Sequence, residues 1–279
     1  MITGSSEGLG RAIAEACCRA GANVVLCARS EDRLRNTAEE LTEQFPDSII
    51  AAETCDLSDP DEREDLVEFA NRTMGGIDGL VNNAATSGPK GALDEIDWSE
   101  WMETFEVNLH ASVDLCRRVL PIFRKQGFGK IVNVSGGGAT SPMPRFSAYG
   151  VSKAALVRFT ENLAEELAGT GIHVNALAPG MLATRLLREI VAEGAERIGE
   201  GIHKRMSDTV EKGGASLENA AELAVYLLSR ASDGINGRVI SAVWDPWRSL
   251  AEHIQEIAGT DVYTLRRIVP KDRGMEWGE

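Results

Sequence analysis

The chain has 279 residues, with 43 acidic against 29 basic side chains for a formal net charge of −14. That length suffices to bury roughly 75% of the unfolded surface without a disulfide or metal scaffold, and the negative balance disfavours nucleic acid and anionic lipid as partners. No apolar run approaches the ~20 residues that span a bilayer and no basic-then-apolar leader opens the chain, so a soluble, cytoplasmic protein without membrane partners is expected.

In chain order, the first signal is the glycine-rich stretch Thr3-Gly4-Ser5-Ser6-Glu7-Gly8-Leu9-Gly10, followed by a helix over Arg11–Ala20 that Gly21 closes. A strand of ~5–6 residues normally precedes such a turn. Only Met1 and Ile2 do so here, a truncated first strand that loss of a few upstream residues explains better than tolerance of a stub; an in-frame upstream codon run reading as an apolar strand is expected. Strands are predicted over Asn23–Ala28, Ser48–Glu53, Gly79–Asn83, Lys130–Ser135, Ile172–Ala178 and Arg238–Ala242. Between them lie helical patterns over Glu31–Gln44, Pro60–Met74 with Asp59 as N-cap, Trp98–Gln126, Ala148–Ala168 and Ser216–Ser229. Pro121 should interrupt the longest of these. Thr184–Gly214 is mixed-charge and helical rather than a linker.

The last segment carries a short helix pattern over Pro246–Ala258 and a strand-like Val262–Val269, and Trp244, Trp247 and Trp277 make it an apolar tail that docks on its own domain or on a neighbouring subunit. Cys17, Cys18, Cys27, Cys55 and Cys116 are odd in number and lack metal-type spacing, so they read as reduced core residues with no metal site. Strands separated by helices imply right-handed crossovers and an α/β fold, a doubly wound parallel sheet of the Rossmann type. No repeat or linker divides it, which predicts a single domain over residues 1–279, with a core over 1–242 and a C-terminal extension over 243–279.

Gly4, Gly8 and Gly10 are spaced so that the first permits a tight turn, the second removes a side chain that would block a pyrophosphate, and the third lets the helix pack close. Ser5, Ser6 and Leu9 belong to the same phosphate-facing turn. Further on, Tyr149 and Lys153 stand four residues apart on one helical face. A phenol of reference pKa ~10 is a poor base near neutrality unless a cation stabilises its anion, and the lysine can do that. Such a pair takes a proton from a hydroxyl or returns one to a carbonyl.

Together these motifs resemble the short-chain dehydrogenase/reductase family from Thr3 to about Ala242. Thr3-Gly4-x-x-x-Gly8-x-Gly10 is similar to its cofactor turn, Asp56-Leu57 to its adenine contact, and Asn82-Asn83-Ala84-Ala85 to its NNAG motif. Asn108 in Val107-Asn108-Leu109 resembles the family's helix-borne asparagine, Tyr149-x-x-x-Lys153 its catalytic pair, and Pro179-Gly180-x-x-x-Thr184 its nicotinamide carboxamide turn. The resemblance implies an NAD(P)-dependent oxidoreductase that passes hydride between nicotinamide C4 and a secondary alcohol or carbonyl of a small molecule. Tyr149 would be the acid/base, Lys153 would lower its pKa and hold the nicotinamide ribose, Asn108 would support a water-linked proton relay, and the assembly would be a homodimer or homotetramer.

In most members of that family a carbonyl-polarising serine lies thirteen residues before the tyrosine, and here that position is Gly136. A one-residue insertion in the run Gly136-Gly137-Gly138 would bring Ser135 into register; Ser141 or Thr140 looping back, or no hydroxyl at all, are the alternatives. Ser135 is expected, because a buried reacting carbonyl needs a donor. Ala28 ends the second strand where an acidic residue would select NAD, and Arg29 follows, which favours NADP over NAD; Glu7 in the glycine turn opposes a 2′-phosphate. Arg145, Arg185 and Arg188 could reach the substrate pocket and would suit an anionic or phosphate-bearing substrate such as a sugar derivative, but pairing with Glu189 and Glu193 as surface charges is the favoured reading. A different class of function, a cofactor-binding regulatory or assembly protein without turnover, draws on the displaced serine and short first strand, and Tyr149, Lys153 and Asn108 argue against it. A nucleotide-dependent dehydratase or epimerase is the third alternative, for which the chain is somewhat short.

Overall fold

Seven strands, β1 (Ile2–Thr3), β2 (Val24–Ala28), β3 (Ile50–Thr54), β4 (Gly79–Asn82), β5 (Gly129–Val134), β6 (Ile172–Ala178) and β7 (Val239–Ser241), form one sheet in the order β3-β2-β1-β4-β5-β6-β7. All the pairings are parallel in this computed structural model, which describes residues 1–277. Side chains alternate between faces along each strand. Leu26, Val132 and Leu177 therefore join Ile13 and Leu223 in one apolar layer, while Leu80, Ile131 and Val174 join Leu66, Leu115 and Phe123 in the other. Both faces are covered, as a parallel sheet requires. The strand order reverses between β1 and β4, and that switch point opens a crevice at the carboxyl ends of the strands.

The two residues of β1 pair on both sides, Ile2 with Leu26 and with Val81. Met1 extends the ladder, since its carbonyl accepts from Val81 N at 2.9 Å. Helices α1 (Gly8–Arg19), α2 (Glu31–Gln44) and α3 (Pro60–Met74) follow the first three strands, and Asp59 caps α3 by accepting from Asp61 N at 2.8 Å.

Pro121 does not interrupt its helix. The rod consists of α4 (Trp98–Phe105), a wide π-turn over Glu106–His110 and α5 (Ala111–Gln126), and it runs unbroken through the proline. Pro121 and Arg117 are both exposed, so the carbonyl that loses its N–H partner faces water. The irregularity falls instead at the π-turn, where one extra residue enters the helical ladder. After β5 come α6 (Ser147–Glu166), then after β6 the short helices α7 (Arg185–Ala192), α8 (Ala195–Ile198) and α9 (Glu200–Lys212), and finally α10 (Leu217–Leu228) before β7.

The strand expected over Val262–Val269 is absent. Tyr263 adopts a left-handed φ of 62°, which limits pairing with β7 to one backbone bond, Val239 N to the Tyr263 carbonyl at 2.8 Å, and side chains hold the chain on either side of it. Arg238 donates to the carbonyls of Ile257 (2.9 Å), Thr260 (2.8 Å) and Val262 (2.5 Å), while Glu161 accepts from Leu265 N at 2.5 Å. Of the three tail tryptophans only Trp247 docks in the core; Trp244 is 84% exposed and Trp277 is exposed as well. All five cysteines are buried and unbridged. No helix among the described residues is long and apolar enough to cross a membrane.

Candidate active site

The glycine-rich turn stands at the crevice. Gly4 and Gly8 have left-handed φ values of 64° and 56°, which side-chain-bearing residues avoid. A Cβ on Gly10 would lie 2.2 Å from the Gly4 carbonyl oxygen, so only glycine lets α1 start this close to the turn. Glu7 precedes α1 as its N-cap residue without a side-chain cap bond, leaving the first amides of the helix available to an anion. Ser5 and Leu9 point into the fold rather than the crevice. The Ser5 hydroxyl accepts from Cys27 N at 2.9 Å and Leu9 is part of the core, so each offers a cofactor its backbone alone. The Ser6 carbonyl is held by the Thr37 hydroxyl at 3.0 Å.

Residues after β4 brace this turn. Asn83, whose place in the Asn82-Asn83-Ala84-Ala85 motif was its sequence signal, donates to the carbonyls of Thr3 (2.9 Å) and Gly4 (3.1 Å), and the Thr3 hydroxyl accepts from Asn83 N and from Ala84 N. Asn82 is buried and donates to Asn133 Oδ1 at 2.8 Å, while its own Oδ1 has no partner among the described residues. At the ends of β2 and β3, Arg29 is exposed and has no ion-pair partner among the described residues. Asp56 accepts from Ser58 N at 2.9 Å, and that bond, helped by the Ser58 hydroxyl and the Arg29 charge, holds its carboxyl below the usual carboxylate range. Leu57 is buried beside it.

Glu7 does not stand free to repel a 2′-phosphate. Its carboxylate lies 2.6 Å from Arg185 and 3.7 Å from Arg33, so its charge is already met. Arg185 is thereby spent, because it also pairs with Glu189 at 2.5 Å. Arg145 donates to the carbonyls of Glu196 and Arg197 at the end of α8, and Glu193 pairs with Lys90 at 2.5 Å. Arg188 alone of the three candidate substrate cations is exposed without such a partner among the described residues. Thr184 ends the Pro179-Gly180 turn as the N-cap residue of α7 and closes over the glycine turn, since a Cβ on Gly8 would touch its methyl group at 3.4 Å.

Tyr149 and Lys153 lie one turn apart in α6, with the ammonium 6.0 Å from the phenol ring centre. Lys153 is 2% exposed and its Nζ donates to the Val134 carbonyl at 2.8 Å. Burial brings it down to about 8 and pushes the Tyr149 phenol up to about 12. The phenol oxygen rests against Gly136, where a Cβ would come within 2.2 Å of it. Ser135 is 3% exposed and its Oγ has no partner among the described residues, whereas Thr140 and Ser141 are exposed. Asn108 sits in the π-turn and is fully buried: its Oδ1 accepts from Thr86 N at 2.8 Å, and its Nδ2 donates to Thr86 O at 2.9 Å and to Ser152 Oγ at 3.1 Å. The Ser152 hydroxyl in turn donates to the Tyr149 carbonyl at 2.8 Å, a link that no sequence signal announced. Phe146, Leu187, Ile190, Ile198 and Met206 form an apolar cluster against which the half-buried Tyr149 packs, as do Met143 and Leu186, so the helices after Thr184 place hydrocarbon beside the phenol ring.

The residues fit a dinucleotide: a glycine cradle that any Cβ would fill, free helix amides beside it, and two orphaned buried polar atoms, Asn82 Oδ1 and Ser135 Oγ, at the ends of neighbouring strands. A family model described as short chain dehydrogenase matches residues 1–195. Dehydrogenase/reductase SDR family member 4 of Pongo abelii is 37% identical over 188 residues, covering 67% of this chain and 67% of its own. The protein of the same name from Sus scrofa is 32% identical over 240 residues, covering 86% and 84%. Among solved structures, L-sorbose reductase from Gluconobacter frateurii in complex with NADPH and L-sorbose is 33% identical with a TM-score of 0.77, covering 86% of this chain and 92% of its own.

Proposed function

Because the chain belongs to the short-chain dehydrogenase/reductase family, we propose that Tyr149 moves the proton and Lys153 tunes it in the interconversion of a secondary alcohol and a carbonyl. Membership makes the protein an NAD(P)-dependent oxidoreductase acting on CH–OH or carbonyl groups of small molecules. The observation that carries the assignment of residues is the buried ammonium one helical turn from a phenol that faces a bare Gly136.

The backbone of Gly4, Ser5, Ser6, Gly8, Leu9 and Gly10 with the start of α1 would hold the pyrophosphate, Asp56 and Leu57 the adenine end, and Arg29 a 2′-phosphate. Asn82, Ala84, Pro179, Gly180 and Thr184 would flank the nicotinamide, with Tyr149 and Lys153 on its ribose. When bound, NADP supplies or accepts the hydride. The Tyr149 hydroxyl gives its proton to the carbonyl oxygen in reduction and takes one from the alcohol in oxidation. Lys153, held by the Val134 carbonyl, keeps a positive charge near the phenol and so favours its anion. Asn108 orders the proton path behind Lys153, and the apolar cluster beside Tyr149 holds its ring in place. Assembly as a homodimer or homotetramer belongs to the same proposal, and the exposure of Trp244 supports it.

For the carbonyl oxygen the proposed donor is Ser135, whose hydroxyl is buried and unspent. Ser135→Ala should lower kcat about tenfold, the worth of one neutral hydrogen bond. Full turnover in that variant, measured by NADPH consumption over a carbonyl panel, removes Ser135 from the mechanism.

NADP is preferred over NAD because Arg29 is unpaired at the end of β2 and Glu7 is neutralised by Arg185. Arg29→Ala should raise the NADPH dissociation constant about tenfold and leave NADH binding unchanged, since only the 2′-phosphate meets the guanidinium. Fluorescence titration with both nucleotides tests this, and an equal loss for the two defeats it. Tight nucleotide binding with no turnover on any carbonyl would favour the regulatory alternative, for which the burial of Ser135 is the supporting observation.

A further inference from the structure

Arg63 is a charged residue in α3 whose side chain is only 5% exposed. A guanidinium so deep is costly unless its fork is filled. Here Nη1 donates to the Leu57 carbonyl at 2.7 Å and to Glu106 Oε1 at 2.9 Å, and Nε donates to Asp114 Oδ2 at 3.0 Å. Those partners lie in separate parts of the fold. Leu57 follows β3, Glu106 opens the π-turn, and Asp114 is in the first turn of α5.

The π-turn places Asn108. A helical turn with one extra residue is uncommon and persists where its surroundings hold it, and Arg63 grips it at its first residue. From there the backbone of the π-turn leads over two residues to Asn108, whose Nδ2 donates to Ser152 Oγ, and that hydroxyl donates to the carbonyl of Tyr149. At the other end, the same guanidinium holds the carbonyl of Leu57 in the segment assigned to adenine.

We propose that Arg63 is a positioning residue, which holds the π-turn in register so that Asn108 and Ser152 brace the catalytic helix, and which ties that register to the Asp56-Leu57 segment. This rests on the roles assigned above to Asn108 and to Asp56-Leu57. The other charges at the site allow Arg63 to be altered without stranding a carboxylate. Glu106 keeps its hydrogen bond with His110 Nδ1 at 2.9 Å, and Asp114 keeps Arg117 at 2.7 Å and Arg118 at 2.8 Å. Burial would raise the Glu106 carboxyl, and Arg63 and His110 together outweigh it and hold it below the usual range.

The test uses Arg63→Lys, which keeps the charge and loses the fork, and Glu106→Gln, which leaves Arg63 in place and removes the charge it grips. In cofactor-free protein, amide hydrogen exchange over Glu106–His110 should quicken about tenfold in both variants, with α1 and β5 unchanged. In turnover, kcat should fall about tenfold with substrate KM within about twofold, the pattern of misplaced rather than missing groups. NADPH should bind about threefold more weakly to Arg63→Lys, as its hold on Leu57 is lost. Combined with Ser152→Ala, Arg63→Lys should cost less than it does alone, because both act through one contact route. A lower Tm with unchanged exchange over Glu106–His110 and unchanged kcat would make Arg63 purely structural and overturn the proposal, and so would strict additivity with Ser152→Ala. Turnover that survives Tyr149→Phe would refute the functional assignment instead, leaving the exchange result on the cofactor-free protein to judge Arg63 separately.

Discussion

Tyr149→Phe is expected to lower kcat by about 10²–10⁴, the range of a positioned acid/base, with NADPH affinity weakened by at most about tenfold, the worth of one hydrogen bond to the ribose. The phenol is a neutral donor in the folded chain, since burial pushes it up to about 12. Phenylalanine removes the oxygen that rests against Gly136 and keeps the ring that packs against the cluster of Phe146, Leu187, Ile190, Ile198 and Met206. The hydroxyl has no hydrogen-bond partner among the described residues, so its loss strands no buried group and Tm should hold. Steady-state NADPH consumption with a carbonyl substrate, beside fluorescence titration of NADPH, separates the two readouts. A variant that keeps more than about a tenth of the parent kcat would show that the proton comes from elsewhere.

Lys153→Met is expected to cost a comparable factor, about 10²–10⁴ in kcat, and to change two pH profiles in opposite senses. Lysine outside a fold titrates near 10.5, and burial brings Lys153 down to about 8. In the parent, kcat/KM for reduction should therefore fall as pH rises past about 8, where the ammonium that favours the phenol's anion loses its proton. Stability moves the other way. Between about 8 and 10.5 the unfolded chain holds a proton on this lysine that the folded chain has released, so the folded state gains stability as pH rises through that window. At higher pH the phenol reverses the trend, because from 10 to about 12 the unfolded chain loses a proton that folded Tyr149 keeps. Thermal melts of the cofactor-free proteins check this by difference, because the buried thiols of Cys17 and Cys116, pushed up to about 11 and about 12, cost both proteins stability alike above pH 9: the stability of the parent relative to Lys153→Met should rise between about 8 and 10.5. The same gain in both proteins would assign it to another group.

Much of the fold was legible in local pattern. Glu31–Gln44, Pro60–Met74 and Ile172–Ala178 form with the bounds that periodicity and caps indicate. Val262–Val269 misled because its β-branched residues fit a strand, yet the left-handed Tyr263 allows β7 a single backbone bond and Arg238, Arg158 and Glu161 hold Val262 and Leu265 instead. Pro121 misled because the cost of a proline in a helix, a lost hydrogen bond and a ring clash with the carbonyl four residues back, is eased where that turn is exposed, as Pro121 and Arg117 are. Exposure depends on the side of the helix that meets the core.

The site divides along the same line. The sequence by itself determined the turn at Gly4, Gly8 and Gly10, the shared helical face of Tyr149 and Lys153, and the alternation of strand and helix that brings the two motifs to one sheet. Each is set within a few residues by covalent geometry and the helical repeat. Only the tertiary structure decided that Glu7 meets Arg185, 178 residues away, and that Arg63 meets Glu106, 43 residues away. It also decided that the phenol rests on Gly136 and that Ser135 keeps a buried hydroxyl. Charge neutralisation and burial depend on separation in space, which spacing along the chain does not encode.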